Sequence, residues 1–234
     1  RSDAGAERII EGVRLLEENA NMGFGASQSD IAMMYLDGDN VVHDEGLAVR
    51  YFALAAEQGV SSAQNTLGRM YRYGQYVTQD IDKAIQLYEG AAKQGDPTGM
   101  FNIAGLYLEG IGVTPDIDEA IKWMKLAAED GLPQAQVNLG ALYANAEKIP
   151  RDFTEAMKWY RMAADQGDPI GQNNIGLMYA DGQGVEKDDK AALYWLTVSF
   201  IGGHETSRTA IEKAKANLTS DEIEEVHKLV KEAS

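Results

Sequence analysis

Few residues in this chain have the type and spacing that chemistry requires. The three histidines, His43, His204 and His227, are scattered and form no HExxH pair, the spacing that sets two imidazoles on one helix face for a zinc ion. They read as surface residues. Two carboxylate clusters, Asp37, Asp39, Asp44 and Glu45, then Asp181, Glu186, Asp188 and Asp189, are dense enough to attract a hard cation. Neither keeps the DxDxDG order and twelfth-position glutamate of a calcium loop. With no cysteine there is no thiolate nucleophile, thiolate zinc site or disulfide framework. The serine motifs SxxK, SDN, KTG and GxSxG are absent, as are the phosphate-cradling GxxxxGKS loop and the dinucleotide fingerprint. Trp123, Trp159 and Trp195 invite a cofactor cage, but their spacing of 36 residues reads as a repeated core position. Amide chemistry remains. Asn102, Asn138 and Asn174 keep the same step, and each amide offers both a donor and an acceptor. Such a ladder can grip the backbone of an extended peptide without reading its sequence, or satisfy carbonyls of adjoining helices. The reading is a non-enzyme with no metal and no cofactor.

The elements that would hold this ladder follow from the same period. Glycine recurs at Gly23, Gly59, Gly95, Gly131, Gly167 and Gly203, each 36 residues from the last, and tyrosine at Tyr35, Tyr71, Tyr107, Tyr143 and Tyr179. Within one unit, Ala63, Leu67, Gly68 and Tyr71 form one helical stripe, and Ala84, Leu87, Tyr88, Ala91 and Ala92 a second. The first helix opens after the glycine, often on Pro97, Pro133 or Pro169, where a missing N–H costs nothing in a first turn. Asp96 and Asp168 are natural N-caps there, and a further register, Asp44, Asp80, Asp116, Asp152 and Asp188, announces the second helix. Each unit is therefore a helical hairpin. Small residues at Ala32, Gly68, Ala104, Gly140 and Gly176 are expected to let the paired helices approach, with the recurring tyrosine filling the space beside them.

Laid over the chain, the register predicts a single domain over 1–234. A half repeat covers 6–23, full repeats cover 24–59, 60–95, 96–131, 132–167 and 168–203, and a half repeat with a capping helix covers 204–234. Thirteen helices result. Thr219 and Glu222 have capping-box spacing at the start of the last one.

The pattern Ala63, Leu67, Gly68, Tyr71, Gly74, Val77, Asp80, Ala84, Tyr88, Ala91, Ala92 and Gly95 resembles the SEL-one-like repeat family, a relative of tetratricopeptide arrays. The resemblance covers nearly the whole chain. It implies an all-α, right-handed superhelical α/α solenoid used as a protein-binding scaffold or adaptor. It also implies a bacterial envelope, secretion or signalling setting, periplasmic or secreted, with a cytoplasmic placement as the alternative. Some members have been linked to β-lactam binding or hydrolysis, which makes a small-molecule-binding or hydrolytic protein the alternative function. Ala146 and Lys148 replace the glycines seen at Gly110 and Gly112, and Ser199 and Phe200 replace the paired alanines, so the fourth loop and last interface are expected to differ.

In a tetratricopeptide-like stack the face carrying Thr98, Asn102, Gly105 and Glu109 would line the concave groove. Its equivalents include Thr66, Arg69 and Tyr73 in the second hairpin, Gln134, Asn138 and Asn145 in the fourth, and Ile170, Asn174 and Leu177 in the fifth. Arg69, Arg72 and Tyr73 would form a cationic, aromatic edge, Ile170 and Leu177 an apolar one. The expected partner is a protein or peptide. Nucleic acid is excluded by 21 basic against 37 acidic residues, a net charge of -16 that repels phosphate. No apolar run approaches the roughly 20 residues of a membrane span, so no membrane insertion is expected. The chain opens at Arg1 rather than methionine, consistent with a processed precursor or a trimmed boundary, and a monomer is expected.

Overall fold

A computed structural model describes residues 3–145 and 149–233. Among these the chain is all helical, with thirteen helices and no strand. A lone helix, α1 (Asp3–Asn21), precedes five hairpins. These are α2 (Gly25–Asp37) with α3 (Glu45–Glu57), α4 (Ser61–Tyr73) with α5 (Ile81–Lys93), α6 (Pro97–Glu109) with α7 (Ile117–Glu129), α8 (Pro133–Ala144) with α9 (Phe153–Asp165), and α10 (Pro169–Asp181) with α11 (Asp189–Ile201). A short α12 (Ser207–Lys215) and the terminal α13 (Ser220–Ala233) follow. The expected all-α architecture and helix count are both observed. By its internal packing the chain divides into two compact units, Arg1–Trp123 and Met124–Ser234.

The aspartate register does two jobs in every hairpin. Each side chain caps the second helix by accepting from first-turn amides, as when Asp152 accepts from Thr154 and Glu155 at 3.0 Å. Such a cap contributes roughly 1 kcal/mol. The Lys83 amide holds the Asp80 carboxyl below the usual carboxylate range. Each aspartate N–H also donates back to the carbonyl of the register tyrosine nine residues earlier, at 2.8 to 3.1 Å, from Asp44 to Tyr35 through to Asp188 to Tyr179. This clasp closes the loop. Asp96 and Asp168 cap α6 and α10 as the sequence predicts. The glycine register adopts positive φ throughout, for example +82° at Gly95, which lets the chain turn from one hairpin to the next.

The core corrects one expectation. The recurring tyrosines are only half buried, and beside Gly68, Gly140 and Gly176 the packing side chain comes from the second helix. A Cβ on Gly68 would lie 2.7 Å from the Tyr88 ring, and one on Gly140 2.5 Å from Tyr160, so glycine is what admits these rings. Gly176 meets Leu196 in the same way. Tyr88 also packs with Ala84, Ile103 and Leu106. Burial pushes the Tyr88 and Tyr160 hydroxyls up to about 12, so both stay neutral at ordinary pH.

A glutamine network, buried at Gln28, Gln136 and Gln172 and open to solvent at its outer members, ties hairpins together. Gln28, Gln64, Gln136 and Gln172 each donate to a carbonyl of the preceding hairpin or α1, namely Ala20, Ala56, Ala128 and Ala164. Gln58, Gln94 and Gln166, at the ends of α3, α5 and α9, donate in turn to Gln28, Gln64 and Gln136. In the fifth hairpin Gly202 holds the donor's place, and the Gln172 Oε1 is left without a partner among the described residues.

The two expected departures fall where the sequence puts them. Helix α8 is a residue shorter than its counterparts and ends on Asn145 in extended conformation, whereas α2, α4, α6 and α10 end on left-handed glycine. Ala146 and Lys148 lie outside the described residues. At the last interface Ser199 is fully buried and donates to the Pro169 carbonyl at 2.6 Å, while its hydroxyl also meets Ser207, which donates to Asn173. The predicted capping box forms reciprocally, Thr219 N–H to Glu222 at 2.9 Å and Glu222 N–H to Thr219, and the Thr219 amide lowers the Glu222 pKa. Val226 and Val230 of α13 are buried with Leu193, Leu196 and Ile211. Truncation before Thr219 is therefore expected to lower the melting temperature and promote self-association, because it uncovers that cluster. An unchanged light-scattering profile would count against α13 as a cap.

Candidate functional site

The first helices of the hairpins carry every residue of the predicted binding face. In the first unit, α4 presents Thr66, half buried, with Arg69 and Tyr73 exposed, and α6 presents Asn102, half buried. In the second, α8 presents Gln134, Asn138 and, at its end, Asn145, all exposed. Helix α10 places Ile170, Asn174 and Leu177 on one stripe, with Ile170 44% and Leu177 37% exposed around a half-buried Asn174. Apolar side chains flanking an amide suit a mixed peptide.

The three ladder amides differ from the glutamines two residues before two of them. Among the described residues, Asn102, Asn138 and Asn174 hydrogen-bond no other protein group, whereas Gln136 and Gln172 reach the preceding hairpin. The helix-bracing role that a ladder amide can play is filled by glutamine, and the asparagines keep their donors and acceptors open.

The cationic edge is built differently from the expectation. Arg72 is 7% exposed, and its Nη2 donates to Glu109 Oε2 at 2.7 Å, joining α4 to α6. Its guanidinium lies 5.0 Å from the centre of the Tyr73 ring, which is 58% exposed. Arg72 is thus a buried cation under an exposed ring, and the surface charge of that edge is Arg69 alone. The reason is visible in the register. Position 72 is matched by Leu36, Leu108, Ala144 and Ala180, so the arginine stands where the other hairpins place an apolar side chain.

The residues weighed for chemistry do not converge. His43 lies 3.5 Å from Glu45, His204 meets Thr206, and His227 is exposed. Among the described residues no group of three or more acidic or histidine side chains is placed to hold a metal ion. Of the second acidic cluster, Glu186, Asp188 and Asp189 line an open hollow of about 680 Å³ that Lys187 and Lys190 share. Lys190 is engaged by Glu225 at 2.6 Å. Of the tryptophans, Trp159 is buried and donates to Glu155, while Trp123 and Trp195 are half buried. No described helix is long and apolar enough to cross a membrane.

Helical hairpins at a 36-residue step, clasped alike and meeting through small residues, define an α/α solenoid repeat protein. The chain belongs to the Sel1 repeat family, whose pattern matches residues 25–60, 61–96, 97–132, 133–168 and 169–199. Repeats of this family generally mediate protein interactions. Among solved structures, a Sel1 repeat protein from Oxalobacter formigenes is 27% identical, with a TM-score of 0.78 over 95% of this chain and 100% of that one. A protective antigen of uropathogenic Escherichia coli strains with the SLR fold is 34% identical, TM-score 0.75, over 85% of this chain and 43% of that one. An immunity protein from Pseudomonas aeruginosa, 21% identical with a TM-score of 0.58 over 89% of this chain and 81% of its own, shares the fold alone. Comparison with curated protein sequences finds no match.

Proposed function

We propose that this chain is a non-catalytic adaptor that binds a protein or peptide partner on the first-helix faces of its hairpins. The observation that carries the reading is the open state of Asn102, Asn138 and Asn174, the last two beside glutamines that already brace the helices. Each free amide matches one peptide unit, donor to carbonyl and acceptor to N–H, so backbone is held whatever its sequence. Exposed Ile170 and Leu177 in the second unit add apolar contact, and Arg69 and Tyr73 in the first add charge and ring surface. The proposal includes a bacterial envelope, secretion or signalling assembly as the setting.

Photo-crosslinking in the native source tests the face and names the partner together. A photoreactive residue in place of Gln134 or Asn145 is expected to capture a protein, and one in place of Lys158, exposed on α9, is not. Capture from position 158 alone would move the interaction to the second helices and sink the reading.

A further inference from the structure

Arg72 is short of acceptors. A guanidinium carries five N–H donors and keeps its charge at any physiological pH. Among the described residues the close hydrogen bond of Arg72 goes to Glu109 Oε2, the Tyr88 hydroxyl is a second and weaker contact, and the buried Nε–H has no partner. A cation in this position costs desolvation that the apolar residues of the other hairpins avoid, and an under-supplied buried charge is costlier still. Gly105 of α6 packs against the guanidinium, an added Cβ lying in contact with Nη1 at 3.4 Å, where Met33, Arg69, Ala141 and Leu177 occupy the matching positions elsewhere. The Glu109 side chain is 55% exposed, so water can take the place of Arg72 on its carboxylate when it is displaced. Arg69, one turn before Arg72 on α4, is exposed and makes no ion pair among the described residues.

We propose that Arg72, with Arg69 and the Tyr73 ring, receives a carboxylate carried by the bound peptide, which takes the place of Glu109. A carboxylate brings two oxygens spaced for the guanidinium fork, a better match than the single oxygen now in contact. Glu109 then acts as a resident stand-in that keeps the buried cation paired when the face is empty. The carboxylate can be an acidic side chain or the C-terminus of the peptide. The inference rests on the peptide-binding reading above, and it lies within the first unit.

Three probes separate these sources: the acetylated and amidated pentapeptide AAEAA, its AAQAA counterpart, and AAQAA with a free C-terminal carboxylate. Each is titrated into the full ¹⁵N-labelled chain, with the Arg72 Nε–H signal as the readout, assigned by its loss in Arg72→Leu. At least one carboxylate probe is expected to shift that signal and to bind about tenfold more tightly than the neutral peptide, the range of a charged hydrogen-bonded contact. Whichever carboxylate probe does so identifies the source. Arg72→Leu, the residue type of the neighbouring hairpins, should abolish the preference, and Glu109→Gln should strengthen it by removing the competitor. Arg72→Lys keeps the charge without the fork, so it must lose most of the preference too, even if the leucine variant fails to fold. A preference that survives both substitutions, a Glu109→Gln variant no tighter than the parent, or an Nε–H signal unmoved by either carboxylate would overturn the proposal. The Asn138 and Asn174 side-chain signals report the peptide-binding reading separately, since their failure to respond while Arg72 responds would sink that reading alone.

Discussion

Replacing Tyr88 by alanine is expected to destabilise the first unit by about 3–5 kcal/mol, the range for truncating a large buried aromatic. The ring is fully buried against Gly68, Ala84, Ile103 and Leu106, and helices α4 and α5 are separated by its thickness. Its removal leaves a cavity that glycine at 68 cannot fill, and the hairpin can close it only by moving both helices. Tyr71→Ala is the informative companion. That ring belongs to the recurring tyrosine register, is half buried, and is expected to cost much less. Urea denaturation of the two variants, followed by circular dichroism, checks the assignment. Equal losses would show that the register tyrosine carries the core after all.

The second large effect is on binding. Changing Asn102, Asn138 and Asn174 together to alanine should weaken affinity for the captured partner roughly a hundredfold, taking about 0.5–1.5 kcal/mol for each lost hydrogen bond. The melting temperature should barely move, because these amides brace nothing among the described residues. Gln136→Ala provides the opposite signature. It deletes a donor to Ala128 and an acceptor for Gln166 in the core, so it should lower stability and leave binding of the folded protein nearly intact. Calorimetry against the captured partner reads the first variant. Unchanged affinity with a lowered melting temperature would assign the asparagines to scaffolding.

Much of this molecule was legible in the sequence because its repeat writes local rules five times over. Aspartate before a helix, proline within its first turn and glycine after its end are short-range signals, and all were found where the register put them. Packing was less legible. Tyr71 and Tyr88 both fall on helical stripes, and spacing alone does not say how far each helix turns about its axis. The deciding clue was Gly68, whose missing side chain must be answered by a ring from the other helix. The glutamine network was also written in the register, as Gln28, Gln64 and Gln136 with glutamine partners 30 residues later, and Gln172 without one. Spacing alone does not separate a glutamine that braces helices from one that faces solvent, because both recur at the same step. Arginine by its type suggests a surface charge at position 72, although the register neighbours Leu36 and Leu108 mark the position as inward. The ladder was readable as spacing, but the open state of its amides depends on which helix surfaces meet, which no one-dimensional pattern records.

The bond from each aspartate N–H to the tyrosine carbonyl nine residues back has a bearing on where this chain tolerates editing. Lengthening the stretch between those two residues would part the clasp and shift the cap together, so an affinity tag or fluorescent insert placed there should disturb the hairpin. The turn after each second helix is closed by a bond of shorter span, as from the Val60 N–H to the Ala55 carbonyl, and that bond recurs at every junction. There, a whole 36-residue segment can be added or removed in frame with every clasp left inside its own segment, which makes the hairpin, and not the helix, the natural part for recombination.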